Sequence, residues 1–180
     1  MNSGARKPLS LSKIRLLALD IDGVLTDGRL YFGPKGEALK VFHVRDGHGI
    51  KLLLASGVNV VAISGRRSSA AAARMRELGV DTIVQGCKDK VAALQTIAAK
   101  LHIPLKKCAC VVDDTPDMPL MSSVGFAAAV ADAHPLVIRA AHWVSATPGG
   151  LGAVRELCDA ILRARAGRAT AASGTAARSR

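Results

Sequence analysis

Short apolar runs alternate along the chain with stretches in which apolar residues recur every three or four positions. The runs at 15–21, 58–64, 82–85, 108–112, 125–129 and 142–144 predict buried strands. Helical spacing follows over 68–78, opened by Ser68 and closed at Gly79. It returns over 89–101, where Val91, Leu94, Ala98 and Leu101 share one face ahead of Pro104. Shorter helices are predicted over 117–123 and 135–140, a longer one over 150–165, and another beginning near Asp46. Strand and helix in such alternation predict one α/β domain over 14–165, a three-layer Rossmann-like unit with a mainly parallel sheet.

One segment interrupts the alternation. Residues 28–44, GRLYFGPKGEALKVFHV, read as two strands around the turn Gly33-Pro34-Lys35-Gly36. A hairpin inserted after the first strand would project from the carboxyl edge of the sheet, where α/β proteins place their sites. Leu30, Tyr31, Phe32, Val41 and Phe42 are hard to bury on a lone protrusion, so the expectation is packing against another subunit. The alternative is a hairpin folded down onto its own domain.

Composition adjusts this picture at its ends. The 180 residues suffice for one sizeable core, built with 49% hydrophobic but only 3% aromatic residues. The formal charge of +11 sits mostly outside the domain: between Leu16 and Leu162 there are 16 basic residues against all 14 acidic ones. Residues 166–180, small, polar and basic, predict a disordered tail, and residues 1–13 a flexible leader. With so few aromatics to stack on bases, nucleic acid is not an expected partner. No apolar run reaches the roughly 18 residues of a membrane span. The start of the chain does not read as a signal peptide either. Cys87, Cys108, Cys110 and Cys158 have no zinc spacing, and reduced cytoplasmic thiols are expected.

The chemistry is carried by polar residues at the predicted carboxyl ends of the strands. Asp20, Asp22, Gly23 and Thr26 follow the first; Ser64-Gly65-Arg66 the second; Lys90 opens the helix after the third; Asp113, Asp114 and Asp117 follow the fourth. A parallel sheet gathers such ends into one crevice. Converging acids make a site for a hard cation, and Mg²⁺ suits it. Asp20 then reads as a nucleophile toward phosphorus and Asp22 as the proton donor to the leaving oxygen. Ser64 and Lys90 read as donors to the phosphoryl oxygens, Asp113 as a metal ligand, and Asp114 and Asp117 as orienting groups.

The ordered set DIDGVLT, FHVRDGHGIKLL, ISGR, QGCKDK, DDTPDMPLM, AVADAHP and GGLGAVRE, spread over about residues 14–163, resembles the haloacid dehalogenase-like phosphatases, in particular their capless branch. That resemblance implies a fold without a cap domain and a Mg²⁺ ion held by Asp20, the Asp22 carbonyl and Asp113. It also implies a homotetramer in which a neighbour's hairpin and C-terminal segment close each site. His43, Val44, Arg45, Asp46, Gly47, Lys51, Arg66 and Arg74, with Asp22 and Lys90, match positions that contact substrate in this branch. The substrate implied is 3-deoxy-D-manno-octulosonate 8-phosphate, in lipopolysaccharide precursor synthesis. A nine-carbon sialic-type acid 9-phosphate is the alternative, against which Arg66 speaks. A non-catalytic binding domain is a third reading, supported only by two departures: Val112 where relatives carry Gly, and Leu151 where they often carry Arg.

Several of these residues also have plain structural readings. Asp27 reads as a turn residue, one of His43 and His48 as a helix cap, and His134 before Pro135 as structural. Arg155-Glu156 reads as an ordinary solvated pair.

Overall fold

The computed structural model describes residues 8–176. In chain order the elements are β1 (Leu16–Leu19), β2 (Tyr31–Gly33), β3 (Gly36–Leu39), α1 (Val44–Ala55), β4 (Asn59–Ile63), α2 (Ser69–Leu78), β5 (Thr82–Val84) and α3 (Lys90–Lys100). There follow β6 (Cys108–Val112), α4 (Met118–Ser123), β7 (Phe126–Ala129), α5 (Pro135–Ala140), β8 (Trp143–Val144) and α6 (Ala153–Ala176). Six strands form one sheet in the order β5-β4-β1-β6-β7-β8, parallel at every pairing. β2 and β3 pair separately as an antiparallel hairpin.

Burial explains the strands. Every residue of β1, β6 and β7 is buried, as expected of strands covered on both faces by crossover helices. α1 packs on α2 and α6 on one side, α3 on α4 and α4 on α5 on the other, which gives the three layers. The 68–78 helix uses its predicted caps: Ser68 accepts from the Ala71 N–H, and Gly79 closes α2 at φ +80°. Asp89 caps α3 by accepting from the Ala92 N–H. His43 caps α1 through the Arg45 N–H, and His134 caps α5 through the Leu136 N–H.

Because β1 lies between β4 and β6, successive crossovers run outward in opposite directions from the sheet centre. That reversal opens a crevice at the carboxyl ends of the central strands, the usual ligand position in such sheets.

The ends of the chain differ from expectation. Residues 8–13 are not loose: the Leu9 N–H donates to the Gly125 carbonyl at 2.9 Å, and a 3-10 turn at Leu11–Lys13 packs on α6. α6 does not stop near Arg165 but continues to Ala176. The alanine- and arginine-rich sequence contains no proline, so an already nucleated helix propagates. The predicted leader at 1–7 and tail end at 177–180 lie outside the described residues. No helix among the described residues is long and apolar enough to cross a membrane.

Candidate active site

The loop after β1 is set by one hydroxyl and two glycines. Thr26 Oγ1 accepts from the N–H groups of Gly23 and Gly28 at 3.3 Å each and donates to the Ile21 carbonyl at 3.4 Å. Gly23 has φ +89°, and a Cβ there would lie 2.0 Å from Asp113 Oδ2. The bare backbone is what lets Asp113 approach. From behind, a Cβ on Gly149 would lie 1.8 Å from the Gly23 carbonyl oxygen, and the Gly150 N–H donates to the Val24 carbonyl at 2.9 Å. The glycine pair before α6 thus serves as a close-fitting support for the acidic loop.

Above this loop lies a pocket of about 330 Å³. It is lined by Asp20, Asp22, Ser64, Arg66, Lys90, Asp113, Asp114 and Asp117, together with Gly65, Cys87, Lys88 and Pro116. The four strand-end signals of the sequence therefore do meet. Lys90 is their hub: its Nζ donates to Asp20 Oδ1 at 2.7 Å and to Asp117 Oδ2 at 2.8 Å. Ser64 Oγ donates to Asp22 Oδ2 at 3.1 Å and accepts from the Arg66 N–H at 3.0 Å. Asp114 is spent locally, accepting from the Thr115 N–H at 2.7 Å. Asp117, not Asp114, is the acid that orients Lys90.

Burial dominates the electrostatics. It raises Asp20 to about 6, opposed by the Lys90 ammonium and assisted by the Asp117 charge. Burial also raises Asp113 to about 7, reinforced by Asp20, Asp117 and Asp114. Asp117 is raised by burial as well, with Lys90 pulling the other way. For Lys90, burial works against the ammonium, but Asp20 and Asp117 outweigh it and the pKa rises. The pocket thus holds more carboxylate than its one central ammonium neutralises. Carboxylate oxygens of Asp20, Asp113 and Asp117 lie within 4.8 Å of one another, and Asp117 Oδ1 is buried without a hydrogen-bond partner. This all-oxygen, anion-rich donor set fits a hard divalent cation.

The hairpin adds two residues that the sequence did not reveal. Lys40, its side chain 3% exposed, pairs with Asp22 and also lies 3.4 Å from Glu37. Glu37 accepts from the Ser68 hydroxyl and lies 3.8 Å from Arg66. The only available signal was two charges three positions apart in an otherwise apolar strand. The hairpin's apolar side chains behave differently: Leu30, Tyr31, Phe32, Leu39 and Val41 are exposed, Phe32 at 65%, while Phe42 packs against the core.

Residues 82–154 match a family model described as haloacid dehalogenase-like hydrolase. A curated relative, the 3-deoxy-D-manno-octulosonate 8-phosphate phosphatase of Escherichia coli K12, is 48% identical over 84% of this chain and 80% of its own length. The chain belongs to the haloacid dehalogenase-like phosphatases. The crystal structure of the corresponding Yersinia pestis phosphatase is 46% identical, with a TM-score of 0.85 over 87% of this chain and 84% of that one. The Moraxella catarrhalis phosphatase, solved with a magnesium ion, a phosphate ion and KDO, is 36% identical, with a TM-score of 0.85 over 91% and 95%.

Within this family fold, most of the residues expected to touch substrate lie away from the catalytic pocket of their own chain. Among the described residues, the cations that line it are Arg66, Lys88 and Lys90. His43, Val44, Arg45, Asp46 and Gly47 form the start of α1, and Lys51 lies one turn further on. The His43 Nδ1 and the Asp46 carboxylate are already engaged. His43 caps α1, while buried Asp46 accepts from the Gly152 and Arg155 N–H groups at 3.2 and 2.8 Å and so caps α6. Arg74 pairs with Glu77 at 2.9 Å and covers Gly47, where a Cβ would lie 2.4 Å from its Nη2. Arg45 instead lines a second hollow with Leu151, Gly152 and Arg155.

Arg155 and Glu156 are not the expected solvated pair. Arg155 binds Asp159, while Glu156 accepts from the Ala146 and Thr147 N–H groups and the Thr147 hydroxyl, clamping the loop before α6. Asp27 is a turn residue as expected, accepting from the Arg29 N–H. Of the two departures, Val112 lies fully buried in β6, its neighbour across the ladder being Ala129, and does not line the catalytic pocket. Leu151 is 49% exposed on the second hollow.

Proposed function

We propose that this chain is a Mg²⁺-dependent phosphatase that hydrolyses 3-deoxy-D-manno-octulosonate 8-phosphate to the free sugar acid and phosphate. The observation that carries the reading is the Lys90-centred cluster, in which Asp20, Asp117 and Asp113 gather beside the Asp22–Ser64 pair. Asp20, the backbone carbonyl of Asp22 and Asp113 would hold the ion. When bound, Mg²⁺ neutralises the carboxylates and the phosphate charge that would otherwise repel them.

The chain's own groups then account for the reaction. An Asp20 carboxylate oxygen attacks phosphorus, the bond from phosphorus to the sugar oxygen breaks, and Asp22 gives that oxygen its proton. Ser64 and Lys90 donate to the non-bridging oxygens as charge builds on them. Asp22, now a carboxylate, takes a proton from water as the water attacks the aspartyl phosphate. Phosphate leaves and Asp20 is restored. Asp117 keeps Lys90 aimed into the pocket throughout. Arg66 lies at the pocket mouth, where the sugar acid's carboxylate would meet a guanidinium.

The remaining cations, at Arg45, Lys51 and Arg74, serve substrate held in a neighbouring subunit of a homotetramer, and the exposed hairpin is the surface that docks. The exposed apolar side chains that the hairpin gathers, Leu30, Tyr31, Phe32, Leu39 and Val41, support this reading. Lipopolysaccharide precursor synthesis in the cytoplasm is the setting, in keeping with four free cysteines. The test is phosphate release from the eight-carbon substrate and from a nine-carbon sugar-acid 9-phosphate, with and without Mg²⁺, for wild type and Asp20→Asn. Mg²⁺-dependent release favouring the eight-carbon ester and lost in the variant is expected. Preference for the nine-carbon ester would reassign the substrate, and no release from either would sink the activity.

A further inference from the structure

The charge excess that the sequence places near the chain ends does not stay dispersed. Lys13, Arg15, Arg165 and Arg168 converge with Lys107 and Ser12 around a cavity of about 480 Å³, floored by the turn at Gly57. Four segments remote in sequence build it: the 3-10 turn leading into β1, the turn between α1 and β4, the 3-10 turn leading into β6, and α6. Arg15 and Lys107 stand immediately before β1 and β6, at the amino edge of the sheet. The catalytic pocket lies at the opposite edge, a strand length of roughly 13 Å away at ~3.3 Å per residue.

The lining is organised rather than loose. Arg165 donates through Nη1 to the Ile14 carbonyl at 3.2 Å and through Nη2 to the Ser56 carbonyl at 3.0 Å, which fixes its guanidinium. The Arg15 N–H donates to the Lys107 carbonyl at 3.0 Å, tying two of the cations together through their backbones. Among the described residues no acid lines the cavity. Among the described residues, none of the five cations takes part in an ion pair. Five like charges around one hollow repel one another within a Debye length of about 8 Å, and a multiply charged anion relieves that repulsion.

We propose that this cavity binds a small polyphosphorylated anion, of the class of inorganic pyrophosphate or a nucleoside triphosphate. Five cations exceed what a single phosphate would neutralise, and the volume is larger than that of the catalytic pocket. A concave hollow with no aromatic lining does not present the extended basic stripe or stacking surface that a nucleic acid uses. Arginine forks and a hydroxyl are the donors that phosphate oxygens take.

The experiment is a titration of the full chain with a fluorescent ATP analogue, with displacement by pyrophosphate, inorganic phosphate and a short DNA duplex. Wild type, Lys13→Ala/Arg168→Ala and, as a separate arm, Lys90→Ala are compared. Saturable one-to-one binding is expected, weakened about tenfold or more by raising salt from 50 to 300 mM. Pyrophosphate displaces better than phosphate, the double variant loses at least about tenfold in affinity, and Lys90→Ala does not change it. Both residues of the double variant are exposed, so its folding and its phosphatase kcat should match wild type. Absence of saturable binding would overturn the proposal. So would binding that survives the double variant but falls in Lys90→Ala, or tighter binding of the duplex than of the triphosphate.

Discussion

Replacing Asp113 by Asn should stabilise the protein once metal has been removed by chelation. The carboxyl lies in a partly buried pocket beside Asp20, Asp117 and Asp114, and burial with those three charges raises it from an ordinary 3.8 to about 7. At about 1.4 kcal/mol for each pH unit, that difference sets a ceiling of roughly 4 kcal/mol. Water reaches part of the pocket and Lys90 lies nearby to adjust, so the expected gain is about 1–2 kcal/mol. The pH dependence follows from which state binds the proton. Below about pH 4 the folded and unfolded chains both carry it, and the substitution gains little. Between there and about 7 the unfolded chain gives it up while the folded chain keeps it, so wild-type stability falls as pH rises and the gap opens. Above 7 both are ionised and the gap is constant. Urea unfolding of wild type and Asp113→Asn in EDTA, from pH 4.5 to 8.5, measures it. Because Asp113 is coupled to Asp20, Asp117 and Asp114, the difference reports the titration of the whole cluster rather than of Asp113 alone. Saturating Mg²⁺ should reverse the order, because the ion stabilises the chain that binds it, by about 2.7 kcal/mol at a hundredfold excess over Kd. An Asn variant no more stable than wild type at pH 8 in EDTA, or a gap already full at pH 4.5, would refute this account of Asp113.

Three further outcomes are expected. Lys40→Met should lower kcat by about tenfold to a hundredfold by freeing the Asp22 carboxylate it holds. Urea unfolding should show a loss of about 1–3 kcal/mol because Glu37 is left without its nearer cation, and Glu37→Gln in the same chain should restore stability but not turnover. Gly149→Ala should abolish measurable activity, since its Cβ would displace the Gly23 carbonyl. Gly79→Ala, at φ +80° with only a Leu54 methyl at 3.9 Å, should cost about 1–2 kcal/mol in urea and leave kcat unchanged. Phe32→Lys should shift the assembly measured by sedimentation toward smaller species, and an unchanged distribution would remove the hairpin from the interface.

The sequence was most legible where periodicity reports burial. The 108–112 run coincides with β6, and the 68–78 and 89–101 patterns with α2 and α3 plus their flanking cap residues. Strand-end acids were legible too, because a parallel sheet carries them to one edge whatever loop intervenes. What stayed hidden were polar contacts between distant loops. Asp46 reads as a residue at the start of its own helix, yet its partners are N–H groups of residues 152 and 155. Glu156 reads as half of a solvated pair, yet its three donors belong to the loop at 146–147. Hydrophobic spacing says which face turns inward; it does not say which carboxylate meets which N–H. The end of α6 was missed for a related reason: Leu162 is the last large apolar residue of the helix, so beyond it the apolar signal fades while the backbone pattern continues.

The hairpin shows how one insertion divides its residues between two tasks. Its charged residues, Glu37 and Lys40, are turned toward the domain, where Lys40 neutralises Asp22 and Glu37 holds Ser68 and faces Arg66. Its apolar residues Leu30, Tyr31, Phe32, Leu39 and Val41 are left to solvent in the single chain. The two sets interleave along the ribbon, Phe32 pairing with Glu37 and Tyr31 with Leu39, directly before Lys40. A two-stranded ribbon is marginally stable by itself, so docking of its apolar side chains would also steady its charged ones. Assembly and catalysis would therefore be coupled through Lys40, without the docked surface touching Asp22. Loss of those apolar contacts should lower kcat in the same direction as Lys40→Met, and loss of Lys40 should leave assembly intact. That asymmetry separates a positioning role for the hairpin from a purely structural one.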